Sequence, residues 1–364
     1  MSASDRPLSL GRASESLPLP WERAGERVIT LAQKVAFLSS PHAYPEAPRQ
    51  VEAVETHLSW VFLTDRHAWK LKKPQRLDHH DLSTAAAREH HCRVELRLNR
   101  RLAEDVYLDV VPLFAVPPGR LSFAAEGEPV EWLLKMRRLP GELMLDTLLR
   151  GHELRRRDLH GLLELLACFY RMSAPEPLTG AHYRGRIAAR IAENTRELAR
   201  FPREIPADAA PRLAKRQLAF MRLESQLIDG RVDAGLVVEG HGDLRPEHIC
   251  LETQPRIIDC LEFSRELRIV DPAAELGFLA LECERLGAPG AASWILPMYA
   301  EISGDRPDPR LVHFYQSVHA CIRARLAMAH LLDPASDHHG RWPPVARRYL
   351  DLAASHLDDL SPSL

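Results

Sequence analysis

The 364-residue chain has no long apolar run, no C-x-x-C pair and no marked excess of charge of either sign. No stretch approaches the roughly 20 apolar residues that a membrane-spanning helix needs, so no membrane partner is expected. The first residues offer no basic segment followed by an unbroken apolar core, and a secretory leader is not expected either. A formal net charge of −2 gives no overall basic field to hold nucleic acid or an anionic membrane. The run Arg155-Arg156-Arg157 reads as a solvated helix face. Six cysteines (Cys92, Cys168, Cys250, Cys260, Cys283 and Cys321) are scattered, most of them inside apolar stretches such as Ala167-Cys168-Phe169. A free thiol in such a setting behaves as a small hydrophobe. That usage fits a reducing compartment better than a disulfide framework or a zinc site, and the expected location is the cytoplasm. A repeat of solenoid length, a G-x-G-x-x-G loop and a Walker A loop are all missing.

What is present describes an ordinary globular chain, 45% hydrophobic and 27% charged. Residues 1–35, rich in Ser, Pro, Arg and Glu, read as a disordered extension. Between Val51 and Leu134 the texture is strand-rich. Trp60–Leu63 and Ala68–Lys72 flank the polar stretch Thr64–His67 as a β-hairpin. A charged helix follows, opened by Ser83-Thr84 and reaching Leu102, then strands at Val106–Phe114, Leu121–Phe123 and Glu131–Met136. After Leu139-Pro140-Gly141 the apolar spacing turns helical at Leu159–Met172, Tyr183–Phe201, Ala210–Ile228, Ala274–Leu286 and Pro309–Leu332. Leu236–Phe263 interrupts this half with short hairpin strands that bear loops. The expected fold class is α+β in two lobes: a small β-rich amino-terminal lobe (36–138) and a larger, mainly helical carboxy-terminal lobe (139–364). The cleft between two lobes is a natural ligand site.

Chemistry concentrates in Val238-Glu-Gly-His-Gly-Asp-Leu-Arg-Pro-Glu-His-Ile-Cys-Leu251 and in Arg256-Ile-Ile-Asp-Cys-Leu-Glu-Phe263. Asp243 and Asp259 sit on adjoining loops, where two carboxylates can share one site. One can position and deprotonate a hydroxyl while the other holds a divalent cation, the division of labour that phosphoryl transfer requires.

These two segments resemble the catalytic loop and the second acidic motif of aminoglycoside phosphotransferase-type kinases, and the likeness runs from about Thr56 to Leu332. The resemblance implies the two-lobed protein-kinase-like fold, ATP and Mg²⁺ as cofactors, and a small-molecule hydroxyl as phosphate acceptor. It assigns Asp243 as the catalytic residue and Asp259 as a magnesium ligand. The element Asp271-Pro272 through Glu275-Leu276 corresponds to a brace for the catalytic loop, with His241 expected to anchor that loop to Asp271. In Ala68-Trp69-Lys70 it implies a phosphate-gripping lysine, with Glu95 as partner on the next helix. Lys72, on the same strand face, and Lys73, on the opposite one, are rivals for that role. Ser59, in Thr56-His-Leu-Ser-Trp-Val61, corresponds to a short nucleotide loop. Met136 falls in the hinge, where backbone groups would bond adenine. His248 stands where relatives carry a metal-binding Asn. It can ligate through nitrogen, which Mg²⁺ accepts less readily than Mn²⁺, or be held in the loop with no metal.

Plainer alternatives accompany each assignment. Lys70 could be a solvated strand lysine, Glu95 a surface helix charge, and both aspartates ordinary loop carboxylates. The pairs His79-His80, His90-His91 and His338-His339 read as surface histidines, and the arginines between Arg184 and Arg200 as facing water. Two functions compete: an ATP-dependent small-molecule kinase, and a catalytically weak nucleotide-binding regulator of a partner. A metal-dependent hydrolase is disfavoured for want of further ligand motifs. A protein kinase is disfavoured too, because the H-R-D, D-F-G and A-P-E set is missing. Oligomeric state is not legible.

Overall fold

The computed structural model describes residues 29–77, 80–116, 119–124, 128–332 and 339–360. The first 28 residues of the expected extension, and also His79 and His338, lie outside the described residues. Residues 31–35, assigned to that extension from composition, instead open helix α1 (Leu31–Leu38). Thr30 and Gln33 form a capping box there. The buried Lys34 ammonium fixes the helix to Glu131 at 2.8 Å.

Six strands form one antiparallel sheet: β1 (Glu52–Glu55), β2 (Ser59–Leu63), β3 (His67–Lys72), β6 (Tyr107–Val116), β7 (Arg120–Ser122) and β8 (Pro129–Arg137), in the order β1-β2-β3-β8-β6-β7. Two-residue strands β4 (Arg76–Leu77) and β5 (His80–Asp81) lead into helix α2 (Ala85–Asn99), capped by the Thr84 hydroxyl. Alternation along β3 does the organising work. Trp69 and Leu71 enter a core with α1 residue Leu38, and with Phe62, Leu113 and Leu133. Lys70 and Lys72 therefore project from the other face, toward α2. That face has its own core of Cys92, Tyr107, Val110, Leu134 and Met136.

The remainder is mostly helical: α3 (Leu145–Arg150), α4 (His160–Met172), α5 (Gly180–Leu198), α6 (Ala209–Leu223), α7 (Ser225–Asp233), α8 (Arg265–Arg268), α9 (Pro272–Arg285), α10 (Pro289–Ser303), α11 (Pro309–Ala329) and α12 (Trp342–Asp358). The expected single helix over Ala210–Ile228 is two, because Glu224 (φ −110°, ψ 29°) leaves helical geometry and starts α7 on a new axis. Four short strands interrupt the helices. β9 (Val238–Glu239) pairs with β12 (Ile269–Val270), and β10 (Ile249–Cys250) with β11 (Arg256–Ile257). Helix α9 is buried from Pro272 to Cys283, Glu275 and Glu282 included, which puts it at the centre of the helical layer and obliges both carboxylates to find partners there. Its first turn reaches the loop that follows β9. Among the described residues, no helix is long and apolar enough to cross a membrane.

Candidate active site

The loop Gly240–Asp243 follows β9 and is held by backbone hydrogen bonds to one carboxylate. Glu275 of α9 accepts the N–H groups of His241 (3.0 Å) and Gly242 (2.6 Å), and the Tyr170 hydroxyl donates to it at 2.7 Å. Burial raises the Glu275 pKa. A side chain at Gly240 would place its Cβ 2.7 Å from that carboxylate and 2.6 Å from Val270, so only glycine allows the approach. Gly242 has φ +86°, the left-handed conformation glycine adopts freely. The brace is thus Glu275, and His241 is not anchored to Asp271. Its Nε2 faces the Ile258 carbonyl at 2.9 Å, which joins the first loop to the second. Asp271 is too far inside for that role: it caps α9 and is buried against Arg231 and Tyr315. Burial, and after it the nearby His248, pull the His241 pKa down to about 4, so the ring is neutral near pH 7.

The second loop is equally constrained. Asp259 has φ +60°, uncommon for a residue with a side chain. Its N–H donates to the Tyr107 hydroxyl (3.0 Å) and that of Cys260 to Asn99 Oδ1 (2.8 Å), so the sheet and α2 together fix its position. Arg101, beyond the end of α2, donates to the carbonyls of Glu239 and Gly240 and ties the same helix to the first loop.

Lys70 and Lys72 both grip Glu95. Lys70 Nζ lies 2.8 Å from Glu95 Oε1 and 2.9 Å from Asp259 Oδ1; Lys72 Nζ donates to Glu95 Oε2 and, at 2.9 Å, to Glu262 Oε1. The Glu95 side chain has no exposure. Burial works against charge on Lys70 and Lys72, but Asp259 and Glu95 for Lys70, and Glu95 with Glu262 for Lys72, outweigh it and raise both pKa values. Burial also opposes charge on Asp259. Lys70, then His248, overcome it and hold the carboxyl well below the usual carboxylate range. Lys73 points away, to Glu55 and the face of Trp60.

His248 stands between the two aspartates. Its Nδ1 is 2.9 Å from the Asp243 carbonyl and 3.7 Å from Asp243 Oδ2; its Nε2 is 3.5 Å from Asp259 Oδ2. A ring that donates from Nδ1 to that carbonyl leaves the Nε2 lone pair between Asp259 and Arg245, whose Nη2 lies 3.4 Å away, so a metal that takes this lone pair must displace the arginine. With Asp259 Oδ2, Nε2 makes a mixed oxygen and nitrogen donor pair. Mg²⁺ fits the oxygen, and Mn²⁺ accepts both.

The other expected positions fall nearby to different degrees. Ser59 is buried at the start of β2, in register with Lys72. Met136 packs with Ala68, Leu139 and Ile258, a cluster that spans sheet and second loop. The hinge N–H groups of Arg137 and Arg138 are already bonded to the Val106 and Arg66 carbonyls. Arg190, expected to face water, is half-buried: burial, then Arg186 and Arg325, lower its pKa. Glu262 was not foreseen from the sequence. Its signal was the spacing from Asp259 on a loop facing two lysines of one strand. Two cavities, of about 300 Å³ beside Tyr170 and about 470 Å³ between α6 and α12, are lined by neither Asp243 nor Asp259.

No known family profile matches the chain. An uncharacterised protein of Mycobacterium tuberculosis, Rv2004c, is 31% identical over 310 residues, as is one of Mycobacterium bovis. The match covers 84% of this chain but only 60% of either relative, so the chain spans well under the full length of the proteins it resembles in sequence. In three dimensions it is similar to a choline/ethanolamine kinase family protein from Mesorhizobium loti (TM-score 0.51, 15% identity, 90% of this chain and 98% of that one). The architecture is therefore the two-lobed kinase-like fold, as the sequence motifs led one to expect. Aminoglycoside phosphotransferase APH(3'')-Id from Streptomyces rimosus aligns over 74% of the chain and 90% of its own, with a TM-score of 0.42 and 17% identity.

Proposed function

We propose that the chain transfers the γ-phosphate of ATP to a hydroxyl of a small polar molecule. The sheet-containing part (36–138) would bind the nucleotide, and the helical part (139–364) would supply the catalytic loop and the acceptor pocket. One observation carries the reading: a continuous polar path runs from Asp243 through His248 to Asp259 (3.7 and 3.5 Å) and on to Lys70 (2.9 Å). Asp243 orients the acceptor hydroxyl and takes its proton as the oxygen attacks phosphorus. Lys70, steadied by Glu95, grips phosphate oxygens, and Lys72 holds Glu95 from the other side. Asp259, with His248, holds the divalent cation, which when bound neutralises charge on the phosphate oxygens. Met136 and Ile258 line the adenine side, and Ser59 the phosphate side, of the nucleotide.

The acceptor side of Asp243 is cationic. Arg245 Nε lies 3.5 Å from its carboxylate, and Arg323 of α11 lies within its field. This favours an acceptor with a carboxylate or phosphate of its own over a cationic aminosugar. The tail carboxylates Asp358 and Asp359 face Arg216 and His313 instead.

Nucleotide turnover across a panel of hydroxylated metabolites tests the proposal, together with thermal shifts under ATP with and without Mg²⁺ or Mn²⁺. Turnover that requires the metal and is abolished in Asp243→Asn is expected. Stabilisation by ATP that needs no metal, with no turnover on any acceptor, would instead establish the regulatory reading that His248 motivates.

A further inference from the structure

We infer that the carboxy-terminal helix is stapled to the helical layer by a transition-metal ion, of the Zn²⁺ class, held by His313, His356 and Asp359. These residues come from three places in the chain: the first turns of α11, the last turn of α12, and the position just past it. One donor atom from each lies within 4.8 Å of the others. His313 Nδ1 is 3.1 Å from His356 Nδ1 and 3.9 Å from Asp359 Oδ2.

The ring orientations carry the argument. The two Nδ1 atoms face each other, so either one of them bears a proton between the rings or a cation takes up both lone pairs. On its far side, His356 Nε2 is buried, without a hydrogen bond, and 3.2 Å from the Glu284 carboxylate of α9. The Glu284 charge draws the ring proton to Nε2 by Coulomb attraction, short of a formed hydrogen bond, and so leaves Nδ1 as a lone pair. Zn–N bonds of about 2.0–2.1 Å at a tetrahedral angle separate two nitrogens by about 3.4 Å, close to the spacing seen. Two imidazole nitrogens with one carboxylate oxygen suit Zn²⁺ and disfavour Mg²⁺, so this site does not compete for the cation that accompanies ATP. The side chains of His313 and Asp359 are 33% and 58% exposed, against 6% for His356. Metal can therefore enter from solvent and leave water in the fourth position. Through Glu284 the ion would join α12 to α11 and also to α9, whose first turn braces the Asp243 loop.

The test is Zn²⁺ binding to the full chain in millimolar Mg²⁺, by equilibrium dialysis with metal analysis and by thermal unfolding. Because His248 and Asp259 also offer donors, the count is repeated in a His248→Ala background. One equivalent of Zn²⁺ that survives this background and raises the melting temperature is expected. In His313→Gln/Asp359→Asn, which removes two of the three ligands, that equivalent should be lost from the dialysis count, with the metal-free melting temperature unchanged. No bound equivalent, or one equally tight in the double variant, overturns the proposal. Should the double variant not fold, Asp359→Asn alone is loaded with Co²⁺. An altered visible spectrum supports the site, and an unaltered one removes it.

Discussion

Two of the dense clusters of buried charge among the described residues are built differently. In the helical layer, Arg231 binds both Asp271 oxygens (2.6–3.1 Å) and also Asp305; Tyr315 adds a hydroxyl to Asp271, whose side chain has no exposure. Every donor there finds an acceptor within the cluster. In the cleft, Lys70, Lys72, Glu95, Asp259 and Glu262 form an equally tight ladder, but the Asp259 side chain is 45% exposed and only its Oδ1 is held by lysine. Asp243, 30% exposed, pairs with Arg245 and His248 and has no lysine among its ion pairs. A saturated, largely buried cluster serves folding, because a buried charge must be paired. A cluster with spare oxygen atoms and a solvent opening has capacity left for a ligand.

The largest effect should separate the two by kind. Asp243→Asn keeps shape and removes a base, so turnover should fall by about 10²–10⁴-fold with the unfolding midpoint unmoved; steady-state kinetics and denaturant titration read both. Arg231→Met should do the reverse. It leaves Asp271 buried and unpaired at a cost of about 3–5 kcal/mol in stability, while turnover per folded molecule stays near its starting value. A stable Arg231→Met protein with crippled turnover would erase the distinction between the clusters.

Acid should weaken the helical lobe next. Folded His241 and His319, lowered chiefly by burial to about 4 and about 3, stay neutral where the unfolded chain takes up protons near pH 6.5. The unfolded state then binds more protons, so stability is lost as pH falls from 6.5 toward 4. Each histidine contributes a slope of up to about 1.4 kcal/mol per pH unit. His319, which stacks on Phe278 at 4.8 Å, is the simpler one to replace. His319→Gln should flatten the difference between denaturation midpoints at pH 7 and pH 5, and an unchanged difference counts against this account.

The parts of the fold that could be read in advance are those where chain period and environment agree. The β2–β3 hairpin, α2 with its Thr84 cap, and the lysines sharing one face of β3 all follow from local pattern. So do the paired loops bearing Asp243 and Asp259, whose spacing is a motif. What escaped depends on distant partners. Helix α10 contains Pro297 in its interior, so propensity argues against a helix that packing nonetheless sustains. The ends of the chain hid Lys34, whose burial on Glu131 makes sense only once the sheet exists. Glu275 was within a recognised element, yet only the fold shows that it, and not Asp271, holds the loop N–H groups.

Glu262 offers the smallest and most discriminating test of the open cluster. It touches Lys72 at 2.9 Å and has no direct bond to Lys70. Burial opposes its charge, and Lys72, then Lys70, overcome that and lower its pKa, so the carboxylate is anionic near neutrality. Glu262→Gln keeps an amide oxygen but leaves Lys72 one anionic partner, Glu95, which it must still share with Lys70. A stronger pull from Lys72 on Glu95 loosens the grip of Glu95 on Lys70, so the lysine holds phosphate less firmly in its proper place. The KM for ATP should rise by about threefold to tenfold, close to 1 kcal/mol, with kcat changed less than KM because Asp243 and Asp259 are untouched. Glu262→Asp, which keeps the charge, should recover part of that loss. Equal falls in kcat and kcat/KM, with no rescue by Asp, would mean that Glu262 acts on the reacting groups themselves and that the ladder does not divide its work between two lysines.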